Sequence, residues 1–404
     1  MQFIADLHIH SKHARATSYN LSIDNLEKYG RMKGIDLMGT GDFQHPLHRK
    51  EIDEKLKEDD KGILRTKTGF AFLLQTEISL MYSQDGKKRA VHLLVFAPNK
   101  EVADRITDYL GNKGRLDYDG RPIFGIPCPQ FVKDLKAIDD KIEIIPAHCM
   151  TPWFGLYGSK SGFGSLEQCF QDQVKHIYAI ESGMSADPQM LWRFKEKVNV
   201  VSFSDAHSFW PWRIGREATI LEIPELSYDN IIKAIRTGEG LKATIETPPA
   251  YGKYHYDGHR KCDFSCSPEK TKELKGICPV CKNFLTIGVD NRVGEIAKET
   301  DGYNPKNAIP FYILLPLHEL IALHLGSTLS SKKTWDLYNS IIENFDNELN
   351  ILLNIGEDEM LKKNIDEELT NLILKNREGK IRVKPGFDGE YGKVLLGEKQ
   401  STLA

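Results

Sequence analysis

The sequence predicts an α/β chain: a barrel of strands with helical crossovers over residues 1–245, then a small metal-stapled module and a helical region. Three observations predict it. Short apolar runs alternate with helical stretches over the first 245 residues, which implies parallel strands with helical crossovers. Seven such runs nearly all lead into a residue able to hold a metal, as expected where strand ends converge on one barrel mouth. Four of the seven cysteines then cluster between positions 262 and 281.

The runs fall in order along the chain. Phe3–Leu7 leads into His8 and His10, Ile35–Met38 into Asp42, and Phe70–Leu74 into Glu77. Val91–Phe96 carries His92, Ile142–Ile145 leads into His148, and Ile177–Ile180 ends at Glu181. Val198–Phe203 leads into Asp205 and His207. Between them, Ile23–Lys33, Pro129–Ile138, Leu166–Gln173 and Pro188–Lys197 read as helices, and a last helix, Tyr228–Thr237, stops at Gly238. Seven or so units favour a barrel over an open sheet.

Glu246-Thr247-Pro248-Pro249 reads as a linker, and composition then turns to Cys, Lys, Gly and Pro until about residue 290. Residues 309–375 read as helices, with Leu337, Ile341, Ile342 and Phe345 spaced as one buried face. The stretch Ile309–Leu325, broken by two prolines, His318, Glu319 and His324, suits a buried amphipathic helix and not a membrane span. The tail Lys380–Leu396, with Pro385-Gly386 and Asp388-Gly389 at its centre, reads as a β-hairpin. The expected divisions are 1–245, 246–295 and 296–404.

A net charge of −3 over 404 residues gives no global argument about nucleic acid, but the charge is uneven. Residues 343–369 carry nine acidic and two basic side chains, whereas 248–285 carry seven basic and four acidic ones, so a polyanion should avoid the former. The N-terminus enters a strand pattern directly with no signal-peptide pattern, and the clustered cysteines suit a reducing compartment. A cytoplasmic location is expected.

His8-x-His10 places two imidazoles on one strand face, and Asp205-x-His207 repeats the geometry. With Asp42, Glu77, His92 and His148 on other strand ends, these residues form a candidate site for several divalent cations. Glu181 is read equally as a ligand or as a group that orients one. His13, His45 and His48, in a polar stretch, read as a solvated loop. Such a cluster lowers the pKa of bound water from about 15.7 to about 7 and suits phosphoester hydrolysis, where anionic oxygens can be clamped. The metal-held hydroxide is then the nucleophile, and no separate base is needed. Neither a Walker-type loop nor a Gly-x-Ser-x-Gly elbow is present.

Asp6-Leu7-His8-Ile9-His10-Ser11, Thr40-Gly41-Asp42, His92, His148 and Ser204-Asp205-Ala206-His207 resemble the motifs of the PHP (polymerase and histidinol phosphatase) family. That resemblance implies a distorted seven-stranded barrel holding two or three divalent cations (Zn, Mn or Mg). One departure stands out: Asp42 occupies a position where the family pattern has histidine.

Cys278-Pro279-Val280-Cys281 is a zinc knuckle half-site. Its partner is either Cys262-x3-Cys266 or His259-x2-Cys262, and the second reproduces ribbon spacing in both halves. The expected ligands of one structural zinc are therefore His259, Cys262, Cys278 and Cys281. Structural zinc contributes on the order of 10 kcal/mol, enough to fold so small a module.

The order of barrel, ribbon and helical tail resembles the endonuclease Q family from residue 1 to about 396. The resemblance includes Thr151-Pro152-Trp153, Arg213-Ile214-Gly215-Arg216-Glu217, Gly252-Lys253-Tyr254-His255, and Pro385-Gly386 followed by Tyr391-Gly392. It implies a metal-dependent DNA repair endonuclease cutting 5′ of deaminated bases (uracil, hypoxanthine, xanthine) and abasic sites. Where the family ribbon has four cysteines, this chain has His259 first, and Cys266 is extra. Damaged DNA is then the expected partner, and a repair partner such as a sliding clamp is left open. Trp153 and Tyr254 are candidates for stacking on a base; Arg213, Arg216 and Lys253 are candidates for neutralising phosphates. Two rival readings remain: a PHP phosphatase for a small phosphomonoester, and a non-catalytic nucleic-acid-binding protein. The ribbon and the helical tail weigh against the first, and the complete ligand set against the second.

Overall fold

Strand Gln2–Asp6 lies inside an eight-stranded sheet, between Ala218–Glu222 (antiparallel) and Leu37–Gly39 (parallel). The computed structural model describes residues 1–196 and 198–395. Outward on one flank come Leu241–Glu246 and Phe311–Ile313; on the other come Ala71–Leu73 and the short Leu64–Arg65 and Lys57–Glu58. A four-stranded sheet runs in the order Ile123–Phe124, Gln75–Gln84, Lys87–Phe96, Glu143–Pro146, and Ala179–Glu181 pairs in parallel with Asn199–Val201.

Backbone hydrogen bonds tie these sheets together where the ligand-bearing segments leave them. Ala147 N–H donates to His92 O at 3.0 Å, Cys149 to Glu181 O at 2.9 Å, and His10 to Ala206 O at 3.2 Å. Beneath them, Leu7, Leu37, Leu73, Leu94, Ile145, Ala179 and Val201 come from separate strand segments yet share one buried apolar cluster. That cluster is the floor on which the polar site rests.

The ladder is not parallel throughout. Gln75–Gln84 and Lys87–Phe96 form a long antiparallel hairpin, and Glu143–Pro146 runs antiparallel to the second of them. The cause is local: the connection is only Asp85-Gly86, with φ of 53° and 71°. Positive φ at both central residues is the turn that matches strand twist in a two-residue hairpin. A parallel crossover needs a dozen residues or more.

Helix Ile23–Lys33 is capped by Ser22, whose side chain accepts from Asn25 N–H, and stops at Gly34 in the left-handed region. Tyr228–Thr237 follows the same plan with Ser227 and Gly238. Other expected helices are shorter. Leu166–Phe170 passes into a 3-10 turn over Gln171–His176, and the helix from Pro188 ends at Leu191, while Lys197 lies outside the described residues. The expected helix Ile309–Leu325 divides into strand Phe311–Ile313 and helix Leu317–His324, with Pro316 capping the helix. The strand pairs with Leu241–Glu246, so the large sheet draws on the C-terminal region, and Glu246 ends a strand instead of opening a linker. In the tail Val383–Lys384 pairs with Lys393–Val394; Leu396 and the rest of the expected third division lie outside the described residues. Among the described residues no helix is long and apolar enough to cross a membrane.

A buried ion pair locks the helical region to the end of helix Ile23–Lys33. Lys33 Nζ lies 2.6 Å from Glu348 Oε1 and donates to Pro211 O at 2.9 Å. Glu348 also accepts from Leu317 N–H and the Tyr338 hydroxyl, both at 2.9 Å. Glu348→Ala should destabilise the protein by about 3–5 kcal/mol, because it strands the Lys33 ammonium in the interior. The double change Lys33→Met, Glu348→Leu should cost far less. Denaturant unfolding of both variants checks this, and equal losses would show that the lone charge is not what hurts.

Candidate metal centre

His8 and His10 leave strand Gln2–Asp6 fully buried, and each is oriented through its Nδ1. Glu181 Oε1 lies 2.9 Å from His8 Nδ1, and Asp42 Oδ1 lies 3.3 Å from His10 Nδ1. Both Nε2 atoms therefore face inward, where neither they nor Asp205 Oδ1 has a hydrogen-bond partner. Orphaned buried polar atoms of this kind call for a ligand.

Two ligand groups converge, each with its atoms within 4.8 Å of one another: His8, His10, Glu77 and Asp205, and Glu77, His92 and His148. Glu77 belongs to both. Its Oε2 lies 3.2 Å from His10 Nε2, while its Oε1 lies 2.7 Å from His92 Nδ1 and 3.1 Å from His148 Nε2. Asp205 Oδ1 completes the first group at 3.4 Å from His8 Nε2 and 3.2 Å from His10 Nε2. Burial opposes the charge on Glu77, but His92, Arg121 and His8 hold its carboxyl well below the usual range. For Asp205, His8 and His207 likewise outweigh burial. Burial takes His92 down to about 4 despite Glu77.

Asp42 and His207, expected as ligands, stand outside these two groups. Asp42 also accepts from Ser11 N–H at 2.7 Å, so it braces the His10 segment from behind. Against the cost of burial, His10 holds its carboxyl at about 2. His207 lies tilted against His10, with ring centroids 4.6 Å apart, and its Nδ1 is 3.0 Å from Asp205 O. Glu181 takes the orienting role, since it also accepts from His148 N–H at 2.6 Å. His13, His45 and His48 do not form a solvated loop: His45 and His48 are buried, His13 is half-buried, and His13 stacks on His45 at 4.4 Å. The helix Pro46–Lys55 that begins beside His45 carries this stretch inward.

Asp42, His148 and Asp205 all adopt positive φ, at 37°, 30° and 48°. Non-glycine residues held there are strained, and such strain gathers at functional sites. Gly183 makes room for one of them, because a Cβ at that position would lie 2.6 Å from His148 Cβ.

In the cysteine module, His259, Cys262, Cys278 and Cys281 bring their ligand atoms within 4.8 Å, and His259 Nδ1 lies 3.2 Å from both Cys262 Sγ and Cys281 Sγ. Cys266 instead faces Thr271 Oγ1 at 3.3 Å. Cys278→Ser should cost one equivalent of tightly held zinc. Metal analysis of His259→Ala and Cys266→Ala should show release only from the former, and the reverse result would reassign the fourth ligand.

Comparison with known proteins now adds to this geometry. The family model of the MJ0043 C-terminal domain matches residues 316–380. MJ0043 of Methanocaldococcus jannaschii is 33% identical over 294 residues, covering 70% of this chain but 35% of that protein. This chain therefore spans about a third of that relative's length. YqxK of Bacillus subtilis is 27% identical over 412 residues, covering 96% of this chain and 98% of its own. The crystal structure of the lesion-specific endonuclease PfuEndoQ from Pyrococcus furiosus aligns at TM-score 0.87 with 28% identity, covering 100% of this chain and 98% of that one. Endonuclease Q in complex with a 27-mer duplex carrying an abasic lesion at its active site aligns at 0.88 with 29% identity, over 99% and 98%. Over its full length the chain is similar to endonuclease Q.

Around the site stand residues that were and were not legible. Trp153 is 42% exposed and meets the Tyr254 ring edge-on at 5.7 Å. Arg216 is buried and donates to Ser204 O from Nε and Nη2, at 3.1 and 2.9 Å. Arg121, which no motif or spacing marks, reaches Glu77 Oε2 at 3.0 Å. Asp6, quoted within a motif but given no role, accepts from Ser204 N–H at 2.9 Å and Gly215 N–H at 2.7 Å. It thereby joins the Asp205 loop to the Arg216 loop.

Because Glu77 is shared, Glu77→Gln should empty both groups together, whereas Glu181→Gln should only weaken metal affinity by about 10–100-fold. Metal content after dialysis against graded chelator separates the two cases. Loss of one equivalent alone in Glu77→Gln would show that the carboxylate is not shared.

Proposed function

We propose that this protein is a metal-dependent DNA repair endonuclease that hydrolyses the phosphodiester 5′ of deaminated bases (uracil, hypoxanthine, xanthine) and of abasic sites. The observation that supports it most is full-length similarity to endonuclease Q held on an abasic duplex, at TM-score 0.88. The donor set fits divalent cations. Imidazoles and carboxylates suit Zn, Mn or Mg, and three of the inward atoms are orphaned without a ligand. Bound there, two or three such cations would acidify a water and neutralise phosphate oxygens.

On this reading His8, His10, Glu77, His92, His148 and Asp205 hold the cations, with Asp42, Glu181 and His207 fixing their angles. Arg121 sits at the edge of Glu77, where an incoming phosphate would meet it. Trp153 and Tyr254 offer faces to a displaced base, since lesion enzymes take the target nucleotide out of the stack. Arg213, Arg216 and Lys253 meet the backbone. The stretch 1–245 is catalytic, 246–295 a zinc ribbon held by His259, Cys262, Cys278 and Cys281, and 296–404 a helical support. The enzyme works in the cytoplasm, where DNA is accessible.

His8→Ala or Asp205→Ala should abolish nicking, by roughly a thousand-fold or more if several kcal/mol of charge stabilisation are lost, while lesion binding persists. End-labelled duplexes carrying uracil, hypoxanthine, an abasic site or no lesion provide the assay. Efficient turnover of simple phosphomonoesters with no nick beside any lesion would assign the barrel to a small-molecule phosphatase.

A further inference from the structure

The tail segment around Gly386–Gly392 is strapped onto the stretch that follows strand Leu241–Glu246. Gly386 N–H donates to Ala250 O at 2.8 Å, Gly389 to Lys253 O at 3.0 Å, and Gly392 to Tyr251 O at 3.0 Å. This fixes Tyr391 beside Tyr251, with ring centroids 6.0 Å apart, and Tyr251 donates its hydroxyl to Glu319 at 2.7 Å. Over the Tyr391 ring stand two cations from distant parts of the chain. Arg213 Cζ is 5.6 Å and Lys253 Nζ 4.6 Å from its centroid.

Among the described residues neither Arg213 nor Lys253 is ion-paired with a carboxylate. The buried Glu319 carboxyl feels Arg213, but it lies beyond ion-pair distance and accepts from Tyr251, so two like charges drawn to one place repel unless something holds them. The negative face of an aromatic ring does so. Their neighbour Arg216 also leaves Nη1 buried without a partner. The Tyr391 hydroxyl registers this field: burial would raise its pKa, but Arg216, Arg213 and Lys253 lower it below the usual phenol value.

We propose that Tyr391 is a positioning residue for DNA, whose ring gathers Arg213 and Lys253 into a two-cation clamp on the phosphate backbone beside the metal centre. The clamp spans two divisions of the chain and is closed by a third, so it exists only when the tail is docked. The inference rests on the reading of Arg213 and Lys253 as phosphate contacts.

The test measures binding of full-length protein to a fluorescent abasic duplex as a function of salt, in an Asp205→Ala background where cutting is blocked. The slope of log affinity against log salt is about −0.9 per phosphate contact. Arg213→Ala and Lys253→Ala should each flatten it by about one contact, and Tyr391→Ala by about two. Tyr391→Phe, which keeps the ring, should retain the full slope. Tyr391→Leu keeps bulk without a π face and should behave like Tyr391→Ala, which covers the case where the alanine variant fails to fold. If the single cation variants flatten the slope but Tyr391→Leu does not, the positioning role is overturned and the phosphate contacts stand. Loss of slope in Tyr391→Phe equal to that in Tyr391→Leu overturns it as well. An unchanged slope in both Arg213→Ala and Lys253→Ala overturns the clamp together with the phosphate contacts beneath it.

Discussion

One buried carboxylate, Glu77, holds the two halves of the site together. Oε1 faces His92 and His148, and Oε2 faces His10 and Arg121. A carboxylate buried this deeply is tolerable only when its charge is matched, because an unpaired charge in an apolar interior costs several kcal/mol. Imidazoles on both sides, Arg121, and the cations such a donor set would hold supply the match. The surrounding backbone is arranged to bring those groups in. His148 and Asp205 turn inward through positive φ, and Glu181 and Asp42 grip the outer nitrogens of His8 and His10. The apolar floor below excludes water, so each of these electrostatic contacts acts in a medium of low polarisability.

The cysteine module and the helical region are each fixed to the part of the chain that carries the site. The module is pinned to the N-terminal α/β region by Arg292, which donates to Tyr157 O at 2.9 Å and Phe163 O at 3.0 Å. Within it, Asp257 accepts from Gly288 N–H at 2.6 Å. The helical region is held by Lys33 and Glu348 and by an aromatic group in which Trp210 stacks on Trp212 at 5.3 Å and Trp212 meets His318 at 4.5 Å. Arg213 follows directly after this group, so the docking of the helices also sets where that cation stands. The acidic stretch 343–369 contributes Glu348 to the interior, while the basic stretch 248–285 supplies Lys253 to the Tyr391 ring.

Much of the site was legible because its residues obey local rules. A period of two along a strand puts His8 and His10 on one face, and ligands that follow strand ends reach a common mouth wherever the strands themselves converge. Zinc-ribbon spacing similarly pointed to His259 beside Cys262, Cys278 and Cys281, which the fold brings within 4.8 Å while Cys266 faces Thr271. The helices Ile23–Lys33 and Tyr228–Thr237 were readable from their serine caps and terminal glycines. Strand Gln75–Gln84 was harder, since its buried inner half, Gln75-Thr76-Glu77, is polar and its apolar residues do not keep a strict alternation. Its Asp85-Gly86 turn was the available signal for the antiparallel hairpin. The helix expected over Ile309–Leu325 missed a strand because three residues, Phe311–Ile313, carry too little pattern to oppose a long apolar stretch.

The sequence by itself determined which residue types gather at strand ends and in the cysteine module, because strand alternation and short-range ligand spacing act within a few positions of the chain. Only the tertiary structure decided that Glu77 is shared, that Asp42 and Glu181 orient imidazoles, and that Arg121 belongs to the site. It also decided that Tyr391 lies beneath Arg213 and Lys253. These contacts join residues from 15 to 178 positions apart, Glu77 with His92 at one extreme and Arg213 with Tyr391 at the other. Their partners are set by how sheets and loops pack against one another, a matter on which neighbouring residues in the chain carry no information.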